Sequence, residues 1–268
     1  MKKNNNNEFL KFGDLVGIVK KLRSPDGCAW DKAQTRNSLI PYFIEEVYEL
    51  IESIDKKDST NIREELGDVL LHVIFQSQIA SEKSDFDIGD VINDINEKLI
   101  DRHPHVFEKS VSLNDKISNE NDKISNELWE EQKYKKKGRR SRLDGIPKIL
   151  PSIISSQRIQ EKASSLGFDF EDIGQVWEKL NEEISEVKFA KKENNFKKIE
   201  GELGDLLFTV INLCRFFDIS AENALRKSNN KFIKRFQSLE KKVSNSNKFF
   251  KQYSQNKLDG IWNEVKKE

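Results

Sequence analysis

One acidic pattern occurs twice in this chain, and the separation of its copies constrains the fold more than any other feature. The sequences EELGD at 64–68 and GELGD at 201–205 begin 137 residues apart, about half of the 268 residues. A second pattern, EEVYE at 45–49, recurs as EEISE at 182–186 with the same separation. Two patterns repeated at one spacing, with no insertion between them, indicate a tandem duplication of a domain.

Later parts of the two halves also match, with a separation of 133 residues. The matching pairs are Lys98 and Arg102 with Lys231 and Arg235, and Trp129 and Lys133 with Trp262 and Lys266. The repeat therefore covers most of each half. It predicts a first domain at 1–136, a basic linker with glycine and proline at 137–150, and a second domain at 151–268.

Two polar segments are expected to be disordered. The first is the asparagine-rich N-terminal tail at about 1–8, and the second is a low-complexity insertion at about 112–127 that repeats NDKISNE. Exact local repetition of polar residues is typical of a tolerated surface insertion, not of a site.

The composition favours helices, since charged residues make up 34% of the chain while glycine and proline number only 12 and 5. Basic and acidic residues balance at 46 each, which argues against nucleic acid or an anionic membrane as a partner. No stretch reaches the ~18 apolar residues of a membrane span. Two cysteines, Cys28 and Cys214, give no disulfide framework. We therefore expect an all-α cytoplasmic protein with no membrane partner.

The acidic patterns are predicted to lie on two antiparallel helices. Glu46 and Glu49 are three residues apart, as are Glu65 and Asp68, so each pair lies on one helix face. The polar segment 55–60 is predicted to form the turn between these helices, and the two pairs are equidistant from it. All four carboxylates should therefore face each other. The second copy offers the same set at Glu183, Glu186, Glu202 and Asp205.

The turn also predicts where the second helix begins. Its candidate N-cap residues are Ser59, Thr60 and Asn61. That helix is apolar on two sides, so a hairpin of this kind cannot bury itself. We expect four-helix cores formed by pairing of hairpins in a dimer, either between like repeats of two chains or between the two repeats of one chain.

Facing carboxylates repel one another unless a cation lies among them. Oxygen ligands select a hard ion, so the predicted occupant is Mg²⁺, for which Mn²⁺ could substitute. Mg²⁺ held by a few carboxylates is commonly completed by water and substrate phosphates, which indicates nucleotide chemistry. A solvated helix face would explain one acidic pattern, but it does not explain a recurrence at unchanged spacing.

The tandem EExxE and ExxD patterns, with LRSPDGCAWDKAQTRNSL at 22–39 and RHPHVF at 102–107, resemble the MazG family of nucleoside triphosphate pyrophosphohydrolases. The resemblance runs from about residue 10 to the end. It implies two all-α MazG-like domains in a homodimer that hydrolyses NTPs or dNTPs to the monophosphate and pyrophosphate with Mg²⁺. It also implies that the second repeat is catalytic.

The resemblance assigns roles to residues of the second repeat. Magnesium would be bound by Glu183, Glu186, Glu202 and Asp205. The attacking water would lose its proton to Glu182 or to one of those ligands. Substrate would be bound by Lys179, Lys198, Lys231, Arg235, Trp262 and Lys266. Metal and cationic side chains would neutralise the polyphosphate and the departing pyrophosphate.

The first repeat departs from this pattern. Asn61 stands where the second repeat has Lys198, although every carboxylate is kept, at Glu46, Glu49, Glu65 and Asp68. We therefore expect this repeat to bind metal but to hydrolyse NTP weakly or not at all. Two alternatives to a general house-cleaning enzyme stay open: a narrow substrate such as dUTP or phosphoribosyl-ATP, and a nucleotide-binding scaffold without turnover.

Overall fold

The computed structural model describes residues 5–107, 141–245 and 250–267, and the chain divides into two compact units, Met1–Lys116 and Ile117–Glu268. All regular structure in these ranges is helical, so the predicted all-α class is confirmed. The boundary between the units and the predicted insertion at 112–127 lie outside the described residues, so neither prediction is tested.

The first unit contains six described helices. They are α1 (Asn5–Leu22), α2 (Ala29–Ala33), α3 (Ile40–Lys56), α4 (Ser59–Ser81), α5 (Ile88–Arg102) and α6 (Pro104–Phe107). Because α1 begins at Asn5, the last four residues of the expected tail are helical. Residues 1–4 lie outside the described ranges.

The described part of the second unit repeats this order in its longer helices. It contains α7 (Ser152–Ser164), α8 (Ile173–Lys192), α9 (Phe196–Phe216), α10 (Ala221–Ser244), a short 3₁₀ turn (Phe250–Gln252) and α11 (Gln255–Val265). Helices α8 and α9 pack together along most of their lengths, as α3 and α4 do in the first unit.

The acidic patterns lie on antiparallel hairpins, as predicted. Lys57 leaves α3 in the left-handed conformation with φ 57°, and Asp58 then caps α4 by accepting hydrogen bonds from the backbone N–H groups of Thr60 and Asn61. The N-cap is thus one residue earlier than the sequence candidates. In the second unit Asn194 has φ 53° and Asn195 caps α9.

Each unit has its own core beside the hairpin. In the first unit the buried side chains come from α1, the segment before α3 and α4; they are Val19, Leu39, Ile74, Phe75 and Ile79. In the second unit the buried apolar side chains are Val176, Ala190, Ile211, Ala221, Leu239, Val243 and Val265. Helix α10 packs on α7 and α9, and α11 packs on α10.

A bidentate ion pair fastens the segment after the first helix to the hairpin in each unit. In the first unit, Arg23 Nε and Nη2 each lie 2.7 Å from an oxygen of Glu82, the C-cap residue of α4. In the second unit, both terminal nitrogens of Arg215 on α9 donate hydrogen bonds to the carboxylate of Asp169, which follows α7. The guanidinium is therefore on the N-terminal side in one unit and on the hairpin in the other.

The hairpin helices also expose apolar side chains. Leu66 of α4 is 52% exposed, and Leu207 of α9 is 64% exposed. The two-sided apolar character predicted for these helices is therefore present, and one side has no partner within the described part of its unit. None of the described helices combines the length and hydropathy needed to span a membrane.

Candidate functional site

Three carboxylates of the second unit converge between α8 and α9. Glu183 and Glu186 lie one turn apart on α8, and Glu202 faces them from α9; one oxygen of each lies within 4.8 Å of the others. Asp205, the fourth predicted ligand, is one turn further along α9. Its side chain is exposed and is not among the three that converge. We refer to Glu183, Glu186 and Glu202 as the second-unit cluster.

Glu183 is the buried member of this cluster, at 3% exposure. Its Oε1 lies 2.7 Å from the ammonium of Lys179, one turn earlier on α8. Its Oε2 is buried and has no hydrogen-bond partner in the described structure. A buried carboxylate oxygen without a partner costs free energy, and a cation bound among the three carboxylates would satisfy it. The donor set therefore fits a divalent ion with oxygen ligands.

Lys179 forms ion pairs with two glutamates of its own helix. Its ammonium lies 3.0 Å from Glu182 Oε1 in addition to its contact with Glu183. Hydrogen bonds to Glu183 and then to Glu182 raise the pKa of Lys179 above its ordinary range. The side chain is 37% exposed, so it closes the edge of the cluster without being buried.

An open cavity of about 430 Å³ lies beside the cluster. Its lining consists of Glu182, Ser185, Glu186, Phe189, Ala190, Lys198 and Glu202. Desolvation raises the pKa of Glu186, and the charges of Glu183 and Glu202 raise it further. The cavity therefore offers an acidic wall on which a cation would be stabilised.

Lys198 lines this cavity, as a residue that contacts substrate would. Its ammonium is paired with Glu193 at 2.7 Å, and this hydrogen bond raises the pKa of Lys198. The pair is exposed, since Lys198 is 52% and Glu193 38% accessible. Such a pair exchanges readily with a stronger anion because solvent screens it.

The remaining predicted substrate residues lie on α10 and α11. Lys231 and Arg235 are one turn apart on α10, and neither forms an ion pair within the described ranges. Trp262 of α11 packs against Phe232 with ring centroids 5.3 Å apart, and the Lys266 ammonium lies 6.0 Å from the Trp262 ring. These contacts join Trp262 to α10 and to Lys266, but among the described contacts none joins the four predicted residues to the second-unit cluster.

The first unit presents a parallel cluster of Glu46, Glu49 and Glu65, whose oxygens also lie within 4.8 Å of one another. Desolvation, then the charges of Asp68 and its neighbours, raises the pKa of Glu46. Desolvation, then the charge of Glu49, raises the pKa of Glu65. We refer to Glu46, Glu49 and Glu65 as the first-unit cluster.

No lysine accompanies the first-unit cluster on its helix as Lys179 accompanies the second. At the separation of 137 residues, Lys179 corresponds to Tyr42, which is 45% exposed and meets the edge of Trp30 with ring centroids 6.2 Å apart. Sequence reasoning missed this difference and considered only Asn61 against Lys198. The same alignment of the repeats would have revealed it.

Fold and site together define a class of protein: an all-α chain in which a duplicated helical hairpin presents clustered carboxylates. The family model described as "MazG nucleotide pyrophosphohydrolase domain" matches residues 34–107 and again 161–239. These matches include both hairpins. The chain belongs to the MazG nucleotide pyrophosphohydrolase family.

Individual relatives extend the similarity to nearly the whole chain. The "Nucleoside triphosphate pyrophosphohydrolase/pyrophosphatase MazG" of Thermotoga maritima is 45% identical over 95% of each chain. The "Nucleoside triphosphate pyrophosphohydrolase" of Escherichia coli is 38% identical over 95% of this chain and 96% of that one. The "Uncharacterized protein YabN" of Bacillus subtilis is 42% identical over 96% of this chain but only 52% of its own length.

Proposed function

We propose that this chain hydrolyses nucleoside and deoxynucleoside triphosphates to the monophosphate and pyrophosphate, at the second-unit cluster, with Mg²⁺ as the cofactor and Mn²⁺ as a substitute. Family membership supports the reaction, as do the names of the Thermotoga and Escherichia relatives. A house-cleaning role in the cytoplasmic nucleotide pool follows as part of the proposal.

One observation carries the choice of site: Glu183, whose Oε2 is buried without a hydrogen-bond partner, belongs to a group of three carboxylates that converge within 4.8 Å. Glu183, Glu186 and Glu202 would hold the ion, and Asp205, one turn beyond Glu202, would complete the set. Bound there, the ion would neutralise and orient the triphosphate.

The chain's own residues supply the other requirements of the reaction. Lys198 lines the cavity and would exchange Glu193 for a phosphate oxygen. Lys231 and Arg235 on α10, with Trp262 and Lys266 on α11, would bind the rest of the nucleotide. Glu182, 55% exposed beside the cluster, or a ligand carboxylate would accept the proton of the attacking water.

The first unit has a different role in this proposal. Its cluster keeps every carboxylate but has Tyr42 and Asn61 where the second unit has Lys179 and Lys198. We propose that it binds a divalent ion and turns over NTP weakly or not at all, since two phosphate-facing charges are missing.

We further propose that the chain acts as a homodimer with a second copy covering the exposed apolar sides of the hairpins. Leu207 and Leu203 on α9 are 64% and 43% exposed, and Leu66 on α4 is 52% exposed. Four-helix packing would remove these side chains from water. Sedimentation of the wild type against Leu207→Glu tests the pairing, since a charge in the interface would shift the protein towards monomer.

Product identification tests the function. The full chain is incubated with each NTP and dNTP plus Mg²⁺, and the products are separated by ion-exchange chromatography. Glu183→Gln should abolish formation of monophosphate and pyrophosphate, whereas the matched variant Glu46→Gln in the first unit should retain it. Release of diphosphate and phosphate, or equal loss in both variants, would contradict the proposal.

The substrate panel also separates the two alternatives. Turnover confined to one nucleotide, such as dUTP, would indicate a narrow specificity set by the cavity wall. Binding of nucleotides by the wild type without any turnover would identify a scaffold that has kept the family's fold but not its chemistry.

A further inference from the structure

The two acidic clusters differ in their internal cation. In the second unit, Lys179 Nζ lies 2.7 Å from Glu183 and 3.0 Å from Glu182. In the first unit the corresponding residue is Tyr42, which contacts Trp30 and carries no charge. Each carboxylate triad has oxygens that converge within 4.8 Å, although its first member is buried in the second unit and half-buried in the first. The two units therefore allow comparison of a triad that has a paired ammonium group with a triad that has tyrosine at the corresponding position.

An ammonium in this position competes with a metal ion. Lys179 pairs with Glu183 Oε1, and the other oxygen of that carboxylate, Oε2, is buried without a hydrogen-bond partner. A divalent ion held by Glu183 would lie close to the lysine's positive charge, and the two cations would repel each other. The ion would also gain less attraction from a cluster whose charge is already partly neutralised.

A nucleotide polyphosphate changes this balance. Lys179 is 37% exposed and has a long flexible side chain, so its ammonium can turn from the carboxylates to an anion arriving from solvent. Phosphate oxygens would then take the lysine while the metal takes the carboxylates. Each event favours the other, which is a positive coupling between metal and nucleotide binding.

We propose that Lys179 is an exchangeable counter-ion of the second-unit cluster, which disfavours metal binding until a nucleotide polyphosphate draws the ammonium away. The second unit then takes up metal and nucleotide together, whereas the first unit, with Tyr42, holds a metal without nucleotide. This inference rests on the proposed function, because it requires that the second-unit cluster bind a divalent ion.

The test measures Mn²⁺ binding without nucleotide, from the loss of the free-ion electron paramagnetic resonance signal. The full chain carries Glu46→Gln and Glu65→Gln, so that only the second-unit cluster binds. In this background Lys179→Tyr, which installs the first unit's residue, should raise Mn²⁺ affinity by about tenfold, because one repelling charge is removed. Unchanged or weaker Mn²⁺ binding would overturn the inference and assign Lys179 to orienting Glu183.

The reciprocal substitution, made at Tyr42 in the first unit, does not alter a residue that contacts the buried Glu183. In a chain with Glu186→Gln and Glu202→Gln, Tyr42→Lys should lower the Mn²⁺ affinity of the first unit by about tenfold. Tyr42→Phe, which adds no charge, should leave it unchanged. Equal affinities of the Lys and Phe variants would overturn the inference, whether or not Lys179→Tyr folds.

A non-hydrolysable triphosphate supplies the second readout. In the wild-type second unit it should raise Mn²⁺ affinity more strongly than in Lys179→Tyr, since only the wild type has an ammonium to release. If the triphosphate raised Mn²⁺ affinity by the same factor in the wild type and in Lys179→Tyr, the inference would be overturned. If no Mn²⁺ binds to the second unit with either residue at position 179, the proposed metal site itself is wrong.

Discussion

Loss of the ion pair between Asp169 and Arg215 should destabilise the second unit measurably. Asp169 is 25% exposed and Arg215 15% exposed. Asp169→Asn keeps the shape of the side chain but leaves the guanidinium without its counter-charge. Breaking a fully buried pair costs ~3–5 kcal/mol. Solvent reaches Asp169, and Arg215 keeps its hydrogen bond to Asn212 and its position 4.8 Å from the Phe216 ring centroid. We therefore expect Asp169→Asn to lower the free energy of unfolding of the second unit by about 2 kcal/mol.

The pH dependence of this loss has a defined sign. Burial acts to raise the pKa of Asp169, but hydrogen bonds from Arg215 and Ser164 outweigh it and hold the pKa below the usual 3.8. A lowered carboxyl pKa in the folded state contributes stability that is fully present above the unfolded value and disappears as pH falls through the folded value. The difference in free energy of unfolding between wild type and Asp169→Asn should therefore be largest above pH 3.8 and should decrease as the pH falls below that value.

Urea unfolding followed by tryptophan fluorescence measures the effect. In a background with Trp30→Phe and Trp129→Phe the remaining tryptophans, Trp177 and Trp262, both lie on described helices of the second unit, and the urea midpoint should fall by about 1 M. Glu161→Gln is the matched control, because its partner Arg158 is 63% exposed and loss of that pair should cost below about 0.5 kcal/mol.

A double variant separates the charge from the packing. Asp169→Asn combined with Arg215→Met removes the unpaired guanidinium and should recover part of the lost stability. If Asp169→Asn cost no more than Glu161→Gln, or if the second substitution only added to the loss, the reasoning from burial would be refuted.

Three further outcomes are expected in the first unit. Ile74→Ala should lower the free energy of unfolding by about 3 kcal/mol, because Ile74 is 1% exposed in the core; a loss below about 1 kcal/mol in urea would contradict the core assignment. Asp58→Ala should cost about 1 kcal/mol through loss of the α4 cap, again read from urea midpoints, with Asp58→Asn as the tolerated control. Mg²⁺ should raise the Tm of the first unit and EDTA should reverse the rise; Glu46→Gln should remove this response, and a Tm that ignores Mg²⁺ in wild type would contradict metal binding there.

Local patterns in the sequence predicted the hairpins well, because their signals repeat. Equidistant carboxylate pairs around a polar segment placed the turns, and the left-handed residues Lys57 and Asn194 lie at the two midpoints. The convergence of Glu183, Glu186 and Glu202 follows from the same symmetry.

Features that depend on side-chain rotation or on distant partners were not predictable in this way. Asp58 caps α4 because its carboxylate reaches two N–H groups, a choice that a run of polar residues leaves undetermined. The exposure of Asp205 depends on how α9 is rotated against α8. The pairs Arg23–Glu82 and Arg215–Asp169 join residues 59 and 46 positions apart, and nothing periodic in the sequence links them.

The opposite polarity of these two ion pairs has a consequence for a chain that contains the same fold twice. During folding, the first helix of one repeat could dock on the hairpin of the other. That exchange would separate Arg23 from Glu82 and Arg215 from Asp169, and a partly buried guanidinium without its carboxylate disfavours it. Because the guanidinium lies on the N-terminal side in one unit and on the hairpin in the other, each ion pair favours docking of a hairpin with the first helix of its own repeat.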